Sequence, residues 1–522
     1  MSKIHSSKQS HTFFTNPVIW ADVPDPDVIR VGDVFYMSST TMHMNPGVPI
    51  MKSHDLVNWE IVNYVYDILA NREEQTLCNG KNEYGKGSWA SSLRYHDGTF
   101  YLAVGSLSTQ ETYIFQTENI ETGTWSRYTI DGYYHDMSLL FDDDGRVYMV
   151  YDGGDIKVVE LTSDATAIKE GGLQKVIIPD ASLVACQTED NILLKAEGAH
   201  IHKVNGMYYI FTIAWPKNGN RTQVVHRASQ IDGVYEGRIC INDQDDTGTA
   251  QGGIVDTVDG RWYAMLFQDS GSVGRCPWVI PVTWEDDWPV FGDNGYMPKE
   301  IPIPIQPVGA PTNHLIVASD EFSQAQGTTS HEPEQLANVW QWNHNPDNEN
   351  WSLTERPGFL RLTTGHTCAT IEEARNTLTQ RTYGPKCSGH IALEIGQMKN
   401  GDVAGLAAFQ KDYGFVGVKM EGDLKNIVMV NAMGGSEKTV ESFPATVDRI
   451  YFKVDFDFTN QTDKATFFYS VDDEDWREIG NTLQMSYKLD HFMGYRFALF
   501  NYATKTTGGY VDFDYFRVSV SE

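Results

Sequence analysis

The sequence is poor in cysteine, and it has no long hydrophobic run. Its six cysteines are far apart and form no CxxC pair, which argues against a zinc site and against a dense disulfide framework. No apolar run reaches the roughly 18 residues that a membrane span needs, and MSKIHSSKQSHTFF at the start lacks the hydrophobic core of a signal peptide. We expect a soluble chain without membrane insertion, in the periplasm or secreted after signal removal, with the cytoplasm as the alternative.

Basic residues are also scarce relative to acidic ones. The chain carries 70 acidic against 40 basic residues, a formal net charge of −30, which repels phosphate backbones and anionic lipid surfaces. Nucleic acid is therefore excluded as a partner. With 522 residues, of which 41% are hydrophobic and 12% aromatic, the chain is long enough for two or three ordered cores.

Five segments repeat a turn signal followed by residues that end in tyrosine: VGDVFY, HDGTFY, DDGRVY, VNGMYY and VDGRWY. The closing tyrosines are 65, 47, 61 and 54 residues apart. This spacing suits four-stranded blades with variable loops, and DG or NG between alternating apolar runs signals a hairpin. The repeats predict an all-β fold that begins with a five-bladed β-propeller over residues 1–310.

The repeats end at a proline-rich segment, IPIPIQPVGAPTNH at residues 301–314, which has the composition of a linker. Beyond it, segments such as IYFKVDFDFT and YVDFDYFRVSV alternate apolar and polar residues with period two. Half-buried antiparallel strands show this alternation. The second part of the chain, residues 311–522, is therefore predicted to be a β-sandwich accessory domain.

Counting back from the closing tyrosines places equivalent positions of the blades in register. Twelve residues before the tyrosines of the second to fifth repeats stand Trp89, Asp136, Glu197 and Gln251. Eleven residues before the first tyrosine, where the turn is one residue shorter, stands Asp25. Equivalent ends of the innermost strands converge on one mouth of a propeller channel. The register therefore predicts three carboxylates, an indole and an amide in one concave site.

Convergent carboxylates match the chemistry of glycoside hydrolysis. That reaction needs a protonated carboxyl group for the leaving oxygen and an ionised one as base or nucleophile. A third carboxylate nearby raises the pKa of the acid by like-charge repulsion. Two alternatives stay open here: each acidic side chain could cap a turn or face water, and a cation such as Ca²⁺ could use the converging oxygens.

At these residues the sequence resembles glycoside hydrolase family 43. NPVIWADVPDPDVIRVGDVFYM is similar to the opening of the family's catalytic propeller, and the resemblance implies that Asp25 is the general base. HDMSLLFDDDGRVYMV implies that Asp136 tunes the pKa of the acid and orients it, and EGAHIHKVNGMYYIF implies that Glu197 is the general acid. GRCPWVIPVTWEDDWP implies that Arg275 binds substrate.

The region from about residue 316, including EFSQAQGTTSHEPEQLANVWQWNHNP, resembles a C-terminal domain of this family. In the β-xylosidase and α-L-arabinofuranosidase branch of the family, that domain is a concanavalin A-like jelly roll. The resemblance implies a domain that packs on the propeller and can help to close the pocket. Trp340 and Trp342 are interpreted as sandwich core or interface rather than as a sugar platform.

Departures from the family's patterns bear on substrate and metal. Where β-xylosidases of this branch have the aromatic-rich TFEWFPG, this chain has TMHMNPG, and WAPH becomes WASS at Trp89. Gln251 replaces the histidine that many members place near an axial cation. No cofactor is therefore expected to be required, and a structural calcium ion is possible but not favoured. We expect Trp89, Arg275, Gln251, His43 and His200 to bind substrate, with a structural role as the alternative for both histidines.

These features predict an exo-acting, inverting glycosidase with an oligosaccharide substrate. It would release terminal α-L-arabinofuranose from the non-reducing ends of arabinoxylan or arabinosylated xyloglucan oligosaccharides. The alternative is a β-D-xylosidase or a dual-activity enzyme, and a more distant alternative is a sugar-binding module without catalysis.

Overall fold

A computed structural model describes residues 13–241, 248–298, 300–302, 316–323 and 335–521. Nearly all regular structure in these residues is β-strand. The strands form five four-stranded antiparallel sheets, followed by two larger sheets that share one hydrophobic core. The predicted five-bladed propeller and the β-sandwich are both confirmed.

The repeated turn signals close the first hairpin of each blade. In Asp97–Gly98 and Asn205–Gly206 both turn residues have positive φ, with values of 47°, 87°, 51° and 80°. These are the signs of a type I′ turn, whose twist matches that of the flanking strands. Local turn chemistry thus sets the start of blades 2 and 4.

In each blade four strands follow one another outward from the central axis. Blade 1 contains Asp27–Val31, Val34–Ser38, Gly47–Ser53 and Glu60–Tyr66. Blade 2 contains Ser88–His96, Thr99–Ser106, Glu111–Thr117 and Ser126–Asp131. Blade 3 contains Ser138–Phe141, Val147–Tyr151, Ile156–Leu161 and Gln174–Ile178. Blade 4 contains Ile192–Val204, Met207–Pro216, Thr222–Ala228 and Glu236–Ile239. Blade 5 contains Ile254–Asp256, Trp262–Asp269, Arg275–Glu285 and Trp288–Phe291.

The first strands of the blades surround the axis. Those of blades 1 to 4 lie against one another in order, and that of blade 5 lies against blade 1. Blades 4 and 5 meet where the N–H of Ile254 donates to Nε2 of His202 at 3.4 Å. Because every blade runs outward in the same order, the N-terminal ends of the first strands meet at one mouth.

The ends of the propeller are joined by a short pair of strands. Phe13–Phe14 pairs with Ile301–Pro302, so the first residues of the predicted linker form a strand. The rest of that segment, and the domain boundary predicted at residue 310, fall in residues 303–315, outside the described residues. The boundary stays a prediction.

Within the described residues, helical structure is confined to single turns. They are Leu183–Cys186, Glu189–Asn191, Gly271–Val273, Ile371–Glu373, Met433–Gly435 and Thr459–Gln461. In the part of the chain that the structure describes, no helix has the length and apolar character required to cross a membrane.

The sandwich consists of two sheets around a core rich in phenylalanine. In spatial order, the first sheet contains Lys438–Pro444, Leu424–Asn431, Gly414–Glu421, Asp402–Phe409, Arg496–Ala503, Leu378–Arg381, Gln341–Asn343 and Met44–Asn45. The second contains Trp351–Ser352, Leu360–Thr363, Tyr510–Ser521, Lys386–Glu394, Arg449–Asp457, Lys464–Ser470 and Arg477–Glu478, and Leu483–Gln484 also pairs with Lys464–Ser470. Every second residue of Arg449–Asp457 is buried, as the period-two pattern predicts. Trp340 and Trp342 are buried in this core.

One strand of the first sandwich sheet belongs to the propeller part of the chain. Met44–Asn45 leaves blade 1 and pairs with Gln341–Asn343 at the edge of that sheet. The two domains therefore share a sheet, and the loop before this strand is drawn into the interface.

A loop of the sandwich in turn reaches the mouth of the propeller. The N–H of Gly494 donates to Oδ2 of Asp22 at 3.0 Å, and the N–H of Tyr495 donates to the carbonyl of Ser272 at 2.9 Å. Backbone donors on the sandwich thus fix this loop beside the mouth of the propeller.

Candidate active site

Three of the residues predicted from the register share a backbone conformation. Asp25 and Asp136 each stand two residues before the first strand of their blade and have φ of 52° and 44°. Gln251 has φ of 64°. Non-glycine residues rarely adopt this left-handed conformation, and it persists where surrounding contacts hold it, often at functional sites. At these three positions the register counted from the tyrosines coincides with a shared backbone geometry.

Asp25 is 3% exposed and has two donors beside it. Its Oδ2 accepts a hydrogen bond of 2.5 Å from the hydroxyl of Thr40, and its Oδ1 lies 3.5 Å from Nη1 of Arg275. Both partners complement a carboxylate. This arrangement suits a group that takes a proton from water.

Asp136 is buried beside other charges. Burial is the main reason that the pKa of its carboxyl group is raised to about 6; the negative charges of Glu197 and Asp25 add to it, whereas His135 and the N–H of Gly198 oppose it. An ordinary aspartate titrates near 3.9. The cluster can therefore hold a proton in mildly acidic solution, as general acid catalysis requires.

Glu197 is the most accessible of the three carboxylates, with 27% of its side chain exposed. The pairing register shifts on both sides of it, and such irregularities redirect side chains. Gly198 follows with φ of 71°, and a Cβ there would lie 2.7 Å from Cγ of Gln251. Gln251 thus packs against the backbone behind Glu197. Its half-buried carboxyl group remains accessible to a leaving oxygen at the mouth.

His135, which the sequence analysis missed, lies between two of the carboxylates. Its Nε2 is 3.2 Å from Oε2 of Glu197 and 3.5 Å from Oδ2 of Asp136, and its Nδ1 hydrogen-bonds with the hydroxyl of Tyr133 at 2.9 Å. Burial opposes charge on the ring, but Asp136, Glu197 and Asp152 outweigh it and raise the pKa of His135 to about 9. The ring is an imidazolium at neutral pH. A lone histidine has no spacing signal, and adjacency to Asp136 was the only clue.

Arg275 and Trp89 meet at one wall of the mouth through a residue of the other domain. The guanidinium carbon of Arg275 lies 4.2 Å from the ring centre of Phe492, and the rings of Phe492 and Trp89 are 4.9 Å apart. A cation over an aromatic face is held electrostatically. The sandwich therefore supplies an aromatic side chain to this wall. No sequence spacing links Phe492 to the propeller motifs.

His43 lies in the domain interface and has no exposed surface. Its ring centre is 4.6 Å from that of Tyr84, 5.0 Å from that of His344 and 4.9 Å from that of His491. Burial, together with the neighbouring histidines, lowers the pKa of His43 well below its usual value, so the ring is neutral. This position agrees with the structural role that was the alternative for His43, because the loop turns into the interface just before Met44–Asn45.

His200 is buried beside the propeller axis, three residues along the strand from Glu197. Its Nδ1 lies 3.4 Å from Oδ1 of Asp27. This position agrees with the structural role that was the alternative for His200 and gives it no exposed face for a sugar.

The guanidinium of Arg94 occupies the propeller axis. It lies 2.7 Å from Oδ2 of Asp27 and donates to the carbonyl of Leu139 and the hydroxyl of Ser138 at 2.7 Å each. It also donates to the carbonyl of Ile201 at 3.3 Å. These partners belong to blades 1, 3 and 4, which are the blades that carry the three carboxylates. One side chain thus joins the strands on which the site is built.

An axial calcium ion, left open by the sequence, does not fit these residues. Ca²⁺ takes 6–8 oxygen ligands, whereas the oxygens of Asp27 face Arg94 and His200. Burial opposes ionisation of Asp27, but the charge of Arg94 and the contact with His200 hold its pKa well below the usual range. The guanidinium already supplies a positive charge at this point. At the mouth, ligand atoms of His135, Asp136 and Glu197 lie within 4.8 Å of one another, and we interpret this group as acid–base chemistry.

Two models of protein families match the sequence. The model of Glycosyl hydrolases family 43 matches residues 14–289, more than half of the chain. The chain belongs to glycoside hydrolase family 43. The model of the Beta xylosidase C-terminal Concanavalin A-like domain matches residues 329–519. The resemblance inferred from the motifs is therefore confirmed for both domains of this family 43 chain.

The relatives of this family 43 chain differ in the sugar that their names specify, which is xylose in some and arabinose in others. A beta-xylosidase of Formosa agariphila is 29% identical, over 96% of this chain and 90% of that protein. A non-reducing end alpha-L-arabinofuranosidase of Bacteroides ovatus is 29% identical, over 67% of this chain and 64% of that protein. A solved bifunctional GH43-CE protein of Bacteroides eggerthii is 52% identical with a TM-score of 0.92. The match covers 97% of this chain and 64% of the solved one, so this chain spans less than two thirds of that protein's length.

Proposed function

We propose that the protein is an exo-acting, inverting glycosidase that releases terminal β-D-xylose from the non-reducing ends of xylan-derived oligosaccharides. The observation that carries the proposal is the convergence of Asp25, Asp136 and Glu197 at one mouth. The choice of xylose rests on the beta-xylosidase relative and on the family model matched by the second domain. Xylose therefore replaces arabinose, which the sequence motifs favoured, as the first candidate.

In the proposed reaction Asp25 takes a proton from water, and the water oxygen attacks the anomeric carbon from the face opposite the leaving group. The glycosidic C–O bond breaks, its electron pair stays on the leaving oxygen, and Glu197 gives that oxygen its proton. The products are the free sugar with inverted anomeric configuration and the shortened oligosaccharide. Asp136 orients Glu197 and keeps a proton in the cluster. Afterwards Asp25 loses its proton to solvent and Glu197 regains one.

The wall formed by Trp89, Arg275 and Phe492 supports binding of a single terminal sugar. Arg275 carries hydrogen-bond donors for sugar hydroxyls, and an indole offers an apolar face to a sugar ring. Because Phe492 comes from the sandwich, this side of the mouth is bounded by the second domain. A bounded mouth favours attack at chain ends over attack within a polymer.

The second candidate is an α-L-arabinofuranosidase, or an enzyme with both activities. The observation in its favour is the segment TMHMNPG, in which Met42 and Met44 replace aromatic residues of the β-xylosidase pattern. Both methionines are buried beside Trp89 and Met493. The pocket next to Trp89 thus lacks those aromatic rings, which leaves room for a differently shaped sugar.

The test is turnover of 4-nitrophenyl β-D-xylopyranoside and 4-nitrophenyl α-L-arabinofuranoside by the whole chain. We expect the higher kcat/KM on the xyloside, a loss of at least about 10²-fold on that substrate in Asp25→Asn, and a loss of the same size on xylobiose in Glu197→Gln, because the leaving sugar of xylobiose needs the proton of the acid. Glu121→Gln is the matched control, since this carboxylate binds Lys52 outside the mouth. Proton NMR of the first product formed should show α-xylose.

Other results would change the proposal in defined ways. Higher kcat/KM on the arabinoside would promote the second candidate. First formation of β-xylose would exclude inversion, and unchanged rates in Asp25→Asn or Glu197→Gln would refute the assigned roles. Binding of xylo-oligosaccharides without turnover of any of them would identify a sugar-binding module.

A further inference from the structure

The ring of His135 is fixed on several sides. Besides the contacts of its two nitrogens, its backbone carbonyl accepts a hydrogen bond of 2.8 Å from the N–H of Asp152. Its ring meets Trp89 edge to face, with the ring centres 6.0 Å apart. Only 27% of the side chain is exposed. These contacts present Nε2 to the carboxyl group of Glu197 in one orientation.

The groups that face His135 are mostly negative. Asp136 and Glu197 lie at Nε2, Asp152 directly follows the strand Val147–Tyr151, and the hydroxyl of Tyr133 is at Nδ1. Among the described residues, Lys157 lies 2.7 Å from Oδ2 of Asp152, and the positive charge of Arg221 also acts on Glu197. The imidazolium is thus the positive charge nearest to the proposed acid.

We propose that His135 is a positioning residue for the acid, whose Nε2–H fixes the carboxyl group of Glu197 and stabilises the carboxylate that remains after its proton has left. The inference rests on the proposed function and assigns a further residue to that site. The register could not reveal it, because His135 has no counterpart at the equivalent positions of the other blades.

The physical reason lies in where charge develops. When Glu197 passes its proton to the glycosidic oxygen, negative charge forms on Oε2, 3.2 Å from Nε2 of His135. A donor already in place stabilises that charge more in the transition state than in the ground state. His135 therefore makes Glu197 a stronger acid. Asp136, buried and negatively charged when ionised, keeps the proton on Glu197 until the substrate takes it.

The first test is the pH profile of kcat/KM for His135→Phe and His135→Gln. Phenylalanine keeps a ring without a donor, and glutamine keeps a donor without charge. Loss of the cation should move the basic limb, where the acid loses its proton, upward by about one pH unit or more in both variants. The control is His390→Phe, a histidine of the sandwich that packs on Trp476 and Tyr515.

The second test varies the leaving group. The leaving group of xylobiose is a sugar, which needs a proton in order to depart. On this substrate His135→Phe should lose about 10–100-fold in kcat/KM. The leaving group of 2,4-dinitrophenyl β-D-xyloside is a dinitrophenolate, which departs with little protonation. On this substrate the loss in kcat/KM should be less than about threefold. His135→Gln should recover part of the loss on xylobiose. Equal losses on both substrates with an unmoved basic limb would reduce His135 to a packing role and overturn the inference.

A third measurement does not depend on turnover. In the whole chain labelled with ¹³C-histidine, NMR should show His135 titrating near pH 9, and the midpoint should fall in Glu197→Gln, which leaves the charges of Asp136 and Asp152 in place. If no pentoside is hydrolysed, the proposed function fails while the contact between the two residues is still measured. If hydrolysis occurs but His135 titrates near 6.5 in both proteins, the inference alone fails.

Discussion

Replacing Arg94 by methionine tests whether the propeller axis depends on a charge that the chain itself supplies. Methionine keeps an unbranched apolar stem and removes the guanidinium. The carboxylate of Asp27, which has no exposed surface, then loses the partner that lies 2.7 Å away. The hydrogen bonds to blades 3 and 4 are lost in the same variant.

The expected cost follows from this burial. Removing one partner of a buried ion pair destabilises a protein by about 3–5 kcal/mol, because the other charge stays in the interior uncompensated. For a domain of this size each kcal/mol lowers the melting temperature by about 2–4 °C. Arg94→Met should therefore lower the Tm of the propeller by roughly 6–20 °C.

Calorimetry of the whole chain measures this fall. Arg517→Met is the control, since Arg517 and Glu321 form an ion pair whose side chains are 43% and 49% exposed, and such pairs contribute less than about 1 kcal/mol. Adding Asp27→Asn to Arg94→Met should return part of the lost Tm, because no charge is then left buried. A fall of less than about 2 °C in Arg94→Met, with no recovery in the double variant, would refute this reasoning.

Three further predictions concern the wall, the axis and the acid. Phe492→Ala should lower kcat/KM on small pentosides about 5–30-fold, since it removes about 1–2 kcal/mol of contact with Arg275; an unchanged value would show that the wall does not bind sugar. Dialysis against EDTA should leave Tm and kcat unchanged, because Arg94 supplies the axial charge, and a loss restored by Ca²⁺ would contradict this. The pKa of His135 is raised from its usual 6.5 to about 9, so its stabilising contribution is complete below pH 6.5 and disappears as pH rises through 9. The Tm of the wild type should therefore fall more steeply between pH 6.5 and pH 9 than the Tm of His135→Phe. Parallel plots of Tm against pH for the two proteins would exclude a charged ring.

Local signals in the sequence were sufficient for much of the fold. Hairpin turns such as Asn205–Gly206 depend on the residues of the turn itself, so the blades could be counted before any contact was known. Because blades repeat, counting from the tyrosines also brought Asp25, Asp136 and Glu197 to one mouth. The alternation in Arg449–Asp457 marked a sandwich strand in the same local way.

The features of the site that the sequence did not predict depend on contacts between distant parts of the chain. No local sequence pattern indicates such contacts. Arg94 gains its role only when blades 1, 3 and 4 close around it. Phe492 reaches the mouth from the other domain. The two alternatives for His43 could not be separated from the sequence for the same reason, since its loop is held by Met44–Asn45, a strand completed by residues of the sandwich.

That shared strand has a consequence for how the protein is made. Asn45 pairs with Trp342, so its partner leaves the ribosome almost 300 residues later, which at about 5–20 residues per second takes roughly 15–60 s. During this interval the apolar loop around Met44 has no strand to pair with. The side chains of this loop therefore stay exposed on the nascent propeller until the sandwich has been synthesised. Phe492 is translated later still. The enzyme should therefore acquire its complete active site only when nearly the whole chain has been synthesised.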